Sequence, residues 1–411
     1  MRTAKNTITF IVLAALLSGI AWAEEKMLVE PVGLPAVSMP VSPDKPLVQM
    51  AILLDTSGSM SGLIDQARAE LWAIVNEFIF AKRDGREPEV QVALYEYGKS
   101  SLPKDEGYIR QIVQFTVDLD KVSEELFALK TNGGSEYCGW VIKDATEGLQ
   151  WSKSPYDLKV IFIAGNEPFT QGPIDYRVAC KAAIEKGIIV NTVHCRNEQQ
   201  GIQGKWKDAA MISDGQFLNI DHNRAVVHIA APQDKEISAL NLKLNSTYLA
   251  YGRAGRALKE RQTVQDKNAG TLSAEASLQR SVAKASSNYR NAQWDLVDAY
   301  KEDGFNLGEI KDEELPEELK KLEPAARKAY IEAKSKERAE IQKKIQKLNG
   351  QRKTYVAAEM KKRAGKADTL GSAVIKAVRE QAKKKNFKFE EPKKPEEPKE
   401  TEAPKEAEKK K

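Results

Sequence analysis

The chain has 411 residues, 41% of them apolar and 30% charged, with a formal net charge of +5. That length accommodates two domains, or one domain with extensions, and the apolar share supports a core. Arg2 and Lys5 lie in a segment expected to be removed, and the near-balanced remainder gives no basis for nucleic-acid binding.

Residues 1–23 read as a secretory signal. Arg2 and Lys5 form a basic start, Ile8 to Leu17 an apolar run, and Ala21-Trp22-Ala23 a small-x-small cleavage site. The run is short for a membrane span, an uncleaved anchor being the alternative, and no later segment is apolar enough to cross a bilayer. The mature protein is therefore expected to be periplasmic or secreted. Residues 24–46 carry Pro31, Pro35, Pro40, Pro43 and Pro46 and read as an extended linker.

From Val48 to Leu54 the chain is nearly unbroken apolar sequence, the mark of a strand buried on both faces. Asp55-Thr56-Ser57-Gly58-Ser59 follows. An amphipathic helix begins near Leu63, with Ile64, Ala67, Leu71, Ile74, Val75, Phe78 and Ile79 at helical spacing. A carboxylate and two hydroxyls thus stand where a strand hands over to a helix, the place where open α/β sheets bind ligands. Oxygen donors of this kind suit Mg²⁺, Mn²⁺ or Ca²⁺. Glu89 to Tyr97 reads as a second strand. Tyr108 to Val117 alternates in polarity and reads as a half-exposed, antiparallel edge. Leu119 to Leu129 and Gly139 to Trp151 read as helices, separated by the turn cluster Thr131-Asn132-Gly133-Gly134-Ser135-Glu136. Leu158 to Ala164 is a further buried strand, ending in Gly165-Asn166-Glu167-Pro168. A helix over Asp175 to Lys186, a strand over Ile188 to Val193, a helix over Lys205 to Ser213 and a strand over Gly215 to Ile220 complete the alternation. Strand and helix in turn predict an α/β fold with a doubly wound, mostly parallel central sheet and helices on both faces.

Ala225 to Ala269 is patterned as helix, its start being read as the last helix of this domain. Ala274 to Tyr300 and Pro324 to Arg363 are rich in good helix formers. Ile341, Ile345 and Leu348 follow coiled-coil spacing, which Arg352 interrupts. Residues 390–411, all Pro, Glu, Lys and small residues, are expected to be disordered. The resulting division is 1–23 signal peptide, 24–46 linker, 47–235 α/β domain, 236–389 helical extension with coiled-coil potential, and 390–411 tail.

Asp-x-Ser-x-Ser after a buried strand resembles the first loop of the metal ion-dependent adhesion site of von Willebrand factor A domains, and the order of elements is similar over roughly residues 50–220. The resemblance implies metal ligands at Asp55, Ser57 and Ser59. It adds Ser135, which stands after a Gly pair where the family carries Thr. The third loop departs from the family pattern: Gly165 replaces the Asp, leaving Asn166 or Glu167 to reach inward or a partner to supply the missing oxygen. In such domains the ion's open position accepts an acidic side chain from a protein partner. The binding face would then be the upper rim formed by loops 55–61, 131–138 and 165–173. Tyr137, Trp140, Phe169 and Tyr176 would lie on or beside it, as contact anchors or folded back. A competing reading has Ser57 and Ser59 merely capping the first helix.

Cys138 and Cys195 both fall near that rim, so a bridge between them is slightly favoured, with Cys180 as a buried apolar group. His194 beside Cys195 suits no nucleophile–base pair, because adjacent strand residues face opposite ways. His222 and His228 lack metal-ligand spacing. A hydrolase built on Asp55 would lack its second carboxylate, Ser57 standing in that position. The expectation is a non-enzymatic, adhesion-type protein-binding module acting through the rim, with Mg²⁺, Mn²⁺ or Ca²⁺ as the cation. The alternative is an assembly protein that binds through its C-terminal helices with a vestigial metal site.

Overall fold

The computed structural model describes residues 45–78, 81–220, 228–362 and 370–389. The signal peptide, most of the linker, Ile79, His222 and the tail lie outside the described residues. Six strands form the main sheet: β1 (Leu47–Asp55), β3 (Glu89–Tyr97), β4 (Ile109–Thr116), β5 (Leu158–Gly165), β6 (Ile189–His194) and β7 (Phe217–Asn219), in the order β4-β3-β1-β5-β6-β7. Every neighbouring pair runs parallel except β3–β4, so β4 is an antiparallel edge. This is the doubly wound α/β sheet expected from the alternation, and the apolar strand β1 lies inside it. The short strands β2 (Ala81–Lys82) and β8 (Lys388–Phe389) pair separately.

Because side chains alternate along a strand, β1 feeds two cores. Val48, Met50 and Leu54 enter one, and Ala51 and Leu53 the other. The second core is closed by α3 (Cys138–Gly148), α4 (Tyr176–Glu185) and α6 (Trp206–Ile212), through Val141, Ala145, Ala179, Ala183 and Trp206. The short helix α5 (Glu198–Gln203) precedes α6. The first core is closed by α1 (Ser61–Glu77), α2 (Leu119–Ala128) and helices from much later in the chain. These are α7 (Asp234–Asn245), α9 (Ala274–Lys284), α12 (Pro324–Lys362) and α13 (Leu370–Lys384).

Two elements of the C-terminal half explain this shared core. In α13 the stripe Leu370, Val374, Ala377, Val378 and Gln381 is buried. Gln381 exchanges amide hydrogen bonds of 2.6 and 3.1 Å with Asn191 of β6. A helix covering β5 to β7 on this face is thus α13, which comes from far later in the chain than the helix expected there. In α12, Ile341 and Ile345 turn inward, and so does Arg352, which bonds to Asp234 Oδ1 at 2.7 Å and Glu275 Oε2 at 2.5 Å. The residue that interrupts the heptad is therefore part of the same inward stripe, satisfied by carboxylates of its own chain.

The helix layer also encloses charge. Arg280, 1% exposed, donates to Asp120 and Asp266, each at 2.6 Å, and its guanidinium lies 4.7 Å from the Trp72 ring centre. Tyr289 donates to the other Asp120 oxygen at 2.6 Å. These contacts tie α1 and α2 to α8 (Gly255–Leu272) and α9. Arg338 of α12 similarly pairs with Asp295 at 2.5 Å, beside α10 (Leu296–Ala299), which the short α11 (Glu317–Lys320) follows. Desolvation offsets much of the attraction in such buried pairs, whereas breaking one leaves an unpaired buried charge. Among the described residues no helix is long and apolar enough to cross a membrane.

Candidate functional site

At the carboxyl end of β1, Asp55 is completely buried. Its Oδ1 accepts from the Ser57 backbone N–H at 2.7 Å, which fixes the carboxylate against the turn. The turn carries Gly58 and Ser59 out to the surface, and α1 starts after Met60. Met60 holds the cap position and has no side chain able to cap, so the serines are left for other contacts.

The second loop lies against the first. Asn132 N–H donates to the Thr56 carbonyl at 3.1 Å, and a Cβ on Gly58 would stand 3.5 Å from Gly133 N. Ser135 is half-buried on this loop. Gly134 lets the loop touch the one after β3: a Cβ there would fall 1.7 Å from the Gly98 carbonyl oxygen. Immediately after Ser135, Glu136 is buried and turns toward Asp55: its Cγ and Asp55 Oδ1 would each stand 2.9 Å from a Cβ on Gly98.

The third loop enters through Asn166, 7% exposed, whose amide lies 3.4 Å from Ser59 Oγ. With the amide oxygen turned toward Arg196, it accepts from Nε at 2.8 Å and Nη2 at 2.6 Å. Glu167 stays half-buried, 4.0 Å from Arg196 Nη1. Asn166 is therefore the residue of this loop that reaches Ser59. Gly165 cannot be replaced by a carboxylate in this packing. A Cβ on it would meet Tyr97 Oη at 2.6 Å and Asp55 Oδ2 at 3.1 Å. Tyr97 is buried and donates to the Ala164 carbonyl at 3.0 Å, occupying that space.

Burial pushes the Asp55 carboxyl up to about 7; the Ser57 hydrogen bonds oppose this, and the charges of Glu136 and Glu167 add to it. Burial likewise raises Glu136 to about 7, with Glu167 adding repulsion. Carboxylates held this way lack a counter-charge. Among the described residues no three His, Cys, Asp or Glu side chains gather to hold a metal ion. Two carboxylates, Asp55 and Glu136, do approach each other beside the first loop, hard-oxygen donors of the kind that fit Mg²⁺, Mn²⁺ or Ca²⁺.

The rim aromatics divide. Phe169 and Tyr176 are buried, packed edge-to-face 5.5 Å apart. Tyr137 and Trp140 are half-buried and stacked, 6.3 Å between ring centres, and Tyr108 meets Tyr137 edge-on at 5.6 Å. Sequence reasoning omitted Tyr108, Tyr97, Glu136 and Arg196. The one available signal was Glu136 beside Ser135.

The bridge expected between Cys138 and Cys195 is absent: all three cysteines are free and buried. The sheet separates them, Cys195 facing the core of α1 and Cys138 the core of α3 and α4. Burial holds all three thiols above their ordinary pKa, Cys180 at about 12. His194 turns to the α6 side, 5.6 Å from the Trp206 ring centre, with Nδ1 3.2 Å from Asn219 Oδ1. It is thus on the opposite face from Cys195, as strand alternation requires. His228 meets the carboxylates of Glu275 and Asp234.

No family model and no curated relative matches the chain. Among solved structures, it is similar to the conserved hypothetical protein BatB from Bacteroides thetaiotaomicron: 17% identity, 42% of this chain, 90% of that one, TM-score 0.32. It is also similar to the SpRpn10 VWA domain: 14% identity, 44% of this chain, 100% of that one, TM-score 0.32. A third is proximal thread matrix protein 1 from the mussel byssus, with a zinc-occupied MIDAS motif: 8% identity, 44% of this chain, 43% of that one, TM-score 0.32. The strand order by itself shows the doubly wound, mostly parallel α/β sheet.

Proposed function

We propose that the chain is an exported, non-enzymatic protein-binding module whose upper rim engages its partner through a divalent cation. Asp55, Ser57, Ser59 and Ser135 are the residues offered to the ion, with Mg²⁺ as the first choice and Mn²⁺ or Ca²⁺ as substitutes. The carrying observation is the buried Asp55, approached and repelled by a second buried carboxylate, Glu136, across the space that Gly98 leaves open. A bound divalent ion would offset that repulsion and would attract an acidic side chain of a partner. The ion supplies attraction for that acid; the chain's residues hold and orient it. Tyr108, Tyr137 and Trp140 supply partly exposed aromatic surface beside it.

Binding through the C-terminal helices is less well supported. Their apolar stripes, including Ile341, Ile345, Val374 and Val378, are already buried in the same chain. Thermal unfolding with and without Mg²⁺ tests the rim reading. Mg²⁺ should raise the melting temperature of the parent and leave Asp55→Ala unmoved. EDTA and Asp55→Ala should each abolish capture of the partner from exported extract. Capture that survives both would overturn the reading.

A further inference from the structure

We propose that the carboxylate missing from the third loop is supplied by the second: Glu136 is a direct ligand of the rim cation. This rests on the reading of the rim as a cation site. Position 165 is closed to a carboxylate because the Tyr97 hydroxyl, anchored on the Ala164 carbonyl at 3.0 Å, stands 2.6 Å from where its Cβ would be. A ligand set of Asp55 and hydroxyls alone would give a divalent ion a single negative charge, and ligand charge count governs affinity for hard cations.

Glu136 restores the second charge from an adjacent direction. A Cβ on Gly98 would stand 2.9 Å from both Asp55 Oδ1 and Glu136 Cγ. Gly98 has φ +80°, and Gly134 packs on its carbonyl, so two glycines open the backbone where Glu136 approaches Asp55. Nearby cations of the chain are engaged elsewhere. Lys99 and Arg110 pair with Glu96 at 3.6 and 2.5 Å, and Arg196 is held by Asn166 and Glu167. Glu167, already beside Arg196, is the natural control.

Mn²⁺ titration of the full chain, followed by the electron paramagnetic resonance of the free ion, tests the assignment. Glu136→Gln should weaken binding on the order of 100-fold, while Glu167→Gln stays within about threefold of the parent. Parent-like binding by Glu136→Gln, with Asp55→Asn still defective, overturns the role of Glu136 and spares the cation site. No Mn²⁺ binding by the parent overturns both. Melting in EDTA shows whether Glu136→Gln folds. If it does not, Glu136→Asp replaces it: Mn²⁺ binding by that folded variant within tenfold of the parent supports the ligand role if Glu136→Ala binds none, and equal binding by the two overturns it.

Discussion

Gly165 and Tyr97 should be energetically coupled, and the contact distances set the size of the effect. A methyl group at 165 meets the Tyr97 hydroxyl at 2.6 Å, well inside van der Waals contact, in a strand buried along its whole length. Gly165→Ala should therefore cost about 2–3 kcal/mol, the upper part of the range for overpacking a core. Tyr97→Phe forfeits the 3.0 Å hydrogen bond to the Ala164 carbonyl, worth about 1 kcal/mol. With the hydroxyl gone, the closest remaining contacts are the 3.1 Å approaches to Asp55, which small shifts relieve. In the Tyr97→Phe background Gly165→Ala should then cost only about 1 kcal/mol, a coupling of about 1–2 kcal/mol. Urea unfolding of the parent, both single variants and the double variant measures this, provided the transitions share one slope. Equal costs in the two backgrounds would refute the argument that Tyr97 excludes a side chain from position 165.

Four further outcomes follow from the helix layer and the thiols. Burial drives the Asp266 carboxyl up, but Arg280 and Lys284 overcome it and hold it at about 2. Its folded pKa lies below the unfolded one, so it stabilises the fold by about 2 kcal/mol above pH 4. That stabilisation should fade as pH falls from about 4 to 2, and Asp266→Asn should flatten this limb of a stability–pH curve. Arg280→Met leaves Asp120 buried without its cation and should cost about 3–5 kcal/mol in urea unfolding at pH 7; a loss under 1 kcal/mol would contradict the pairing. A thiol-reactive dye should find no accessible cysteine in the native protein and three after unfolding without reductant; one in the unfolded state would mean a bridge exists. Ending the chain at Lys362 removes the apolar stripe of α13 from Met50, Leu54 and Phe162, so the melting temperature should fall and a hydrophobic dye should bind. An unchanged melting curve would refute that packing.

Much of the sheet is legible from period alone. The strand Glu89–Tyr97 follows directly from its residues, and the polarity alternation after Tyr108 gives the antiparallel edge, because burial of one face or two writes itself into the sequence. The first loop is legible because its donors are close in sequence. Glu136 is not, since an acid after a glycine turn resembles any solvated residue, and only the glycines at 98 and 134 turn it inward. Tyr97 reads as an ordinary strand aromatic, and its role appears only when β3, β1 and β5 lie side by side. The α13 stripe is periodic, but no local feature tells which sheet face, more than 150 residues earlier in the chain, it will cover. Arg352 misleads a heptad search because its carboxylate partners come from α7 and α9.

The most direct test is crystallographic: an anomalous difference map from crystals grown with Mn²⁺. The account predicts one strong peak at the upper rim, within about 2.0–2.6 Å of oxygen atoms from the Asp55–Ser59 loop and from the Ser135–Glu136 loop. A rim without a peak, while Tyr97 and Glu136 keep the positions given above, would contradict it.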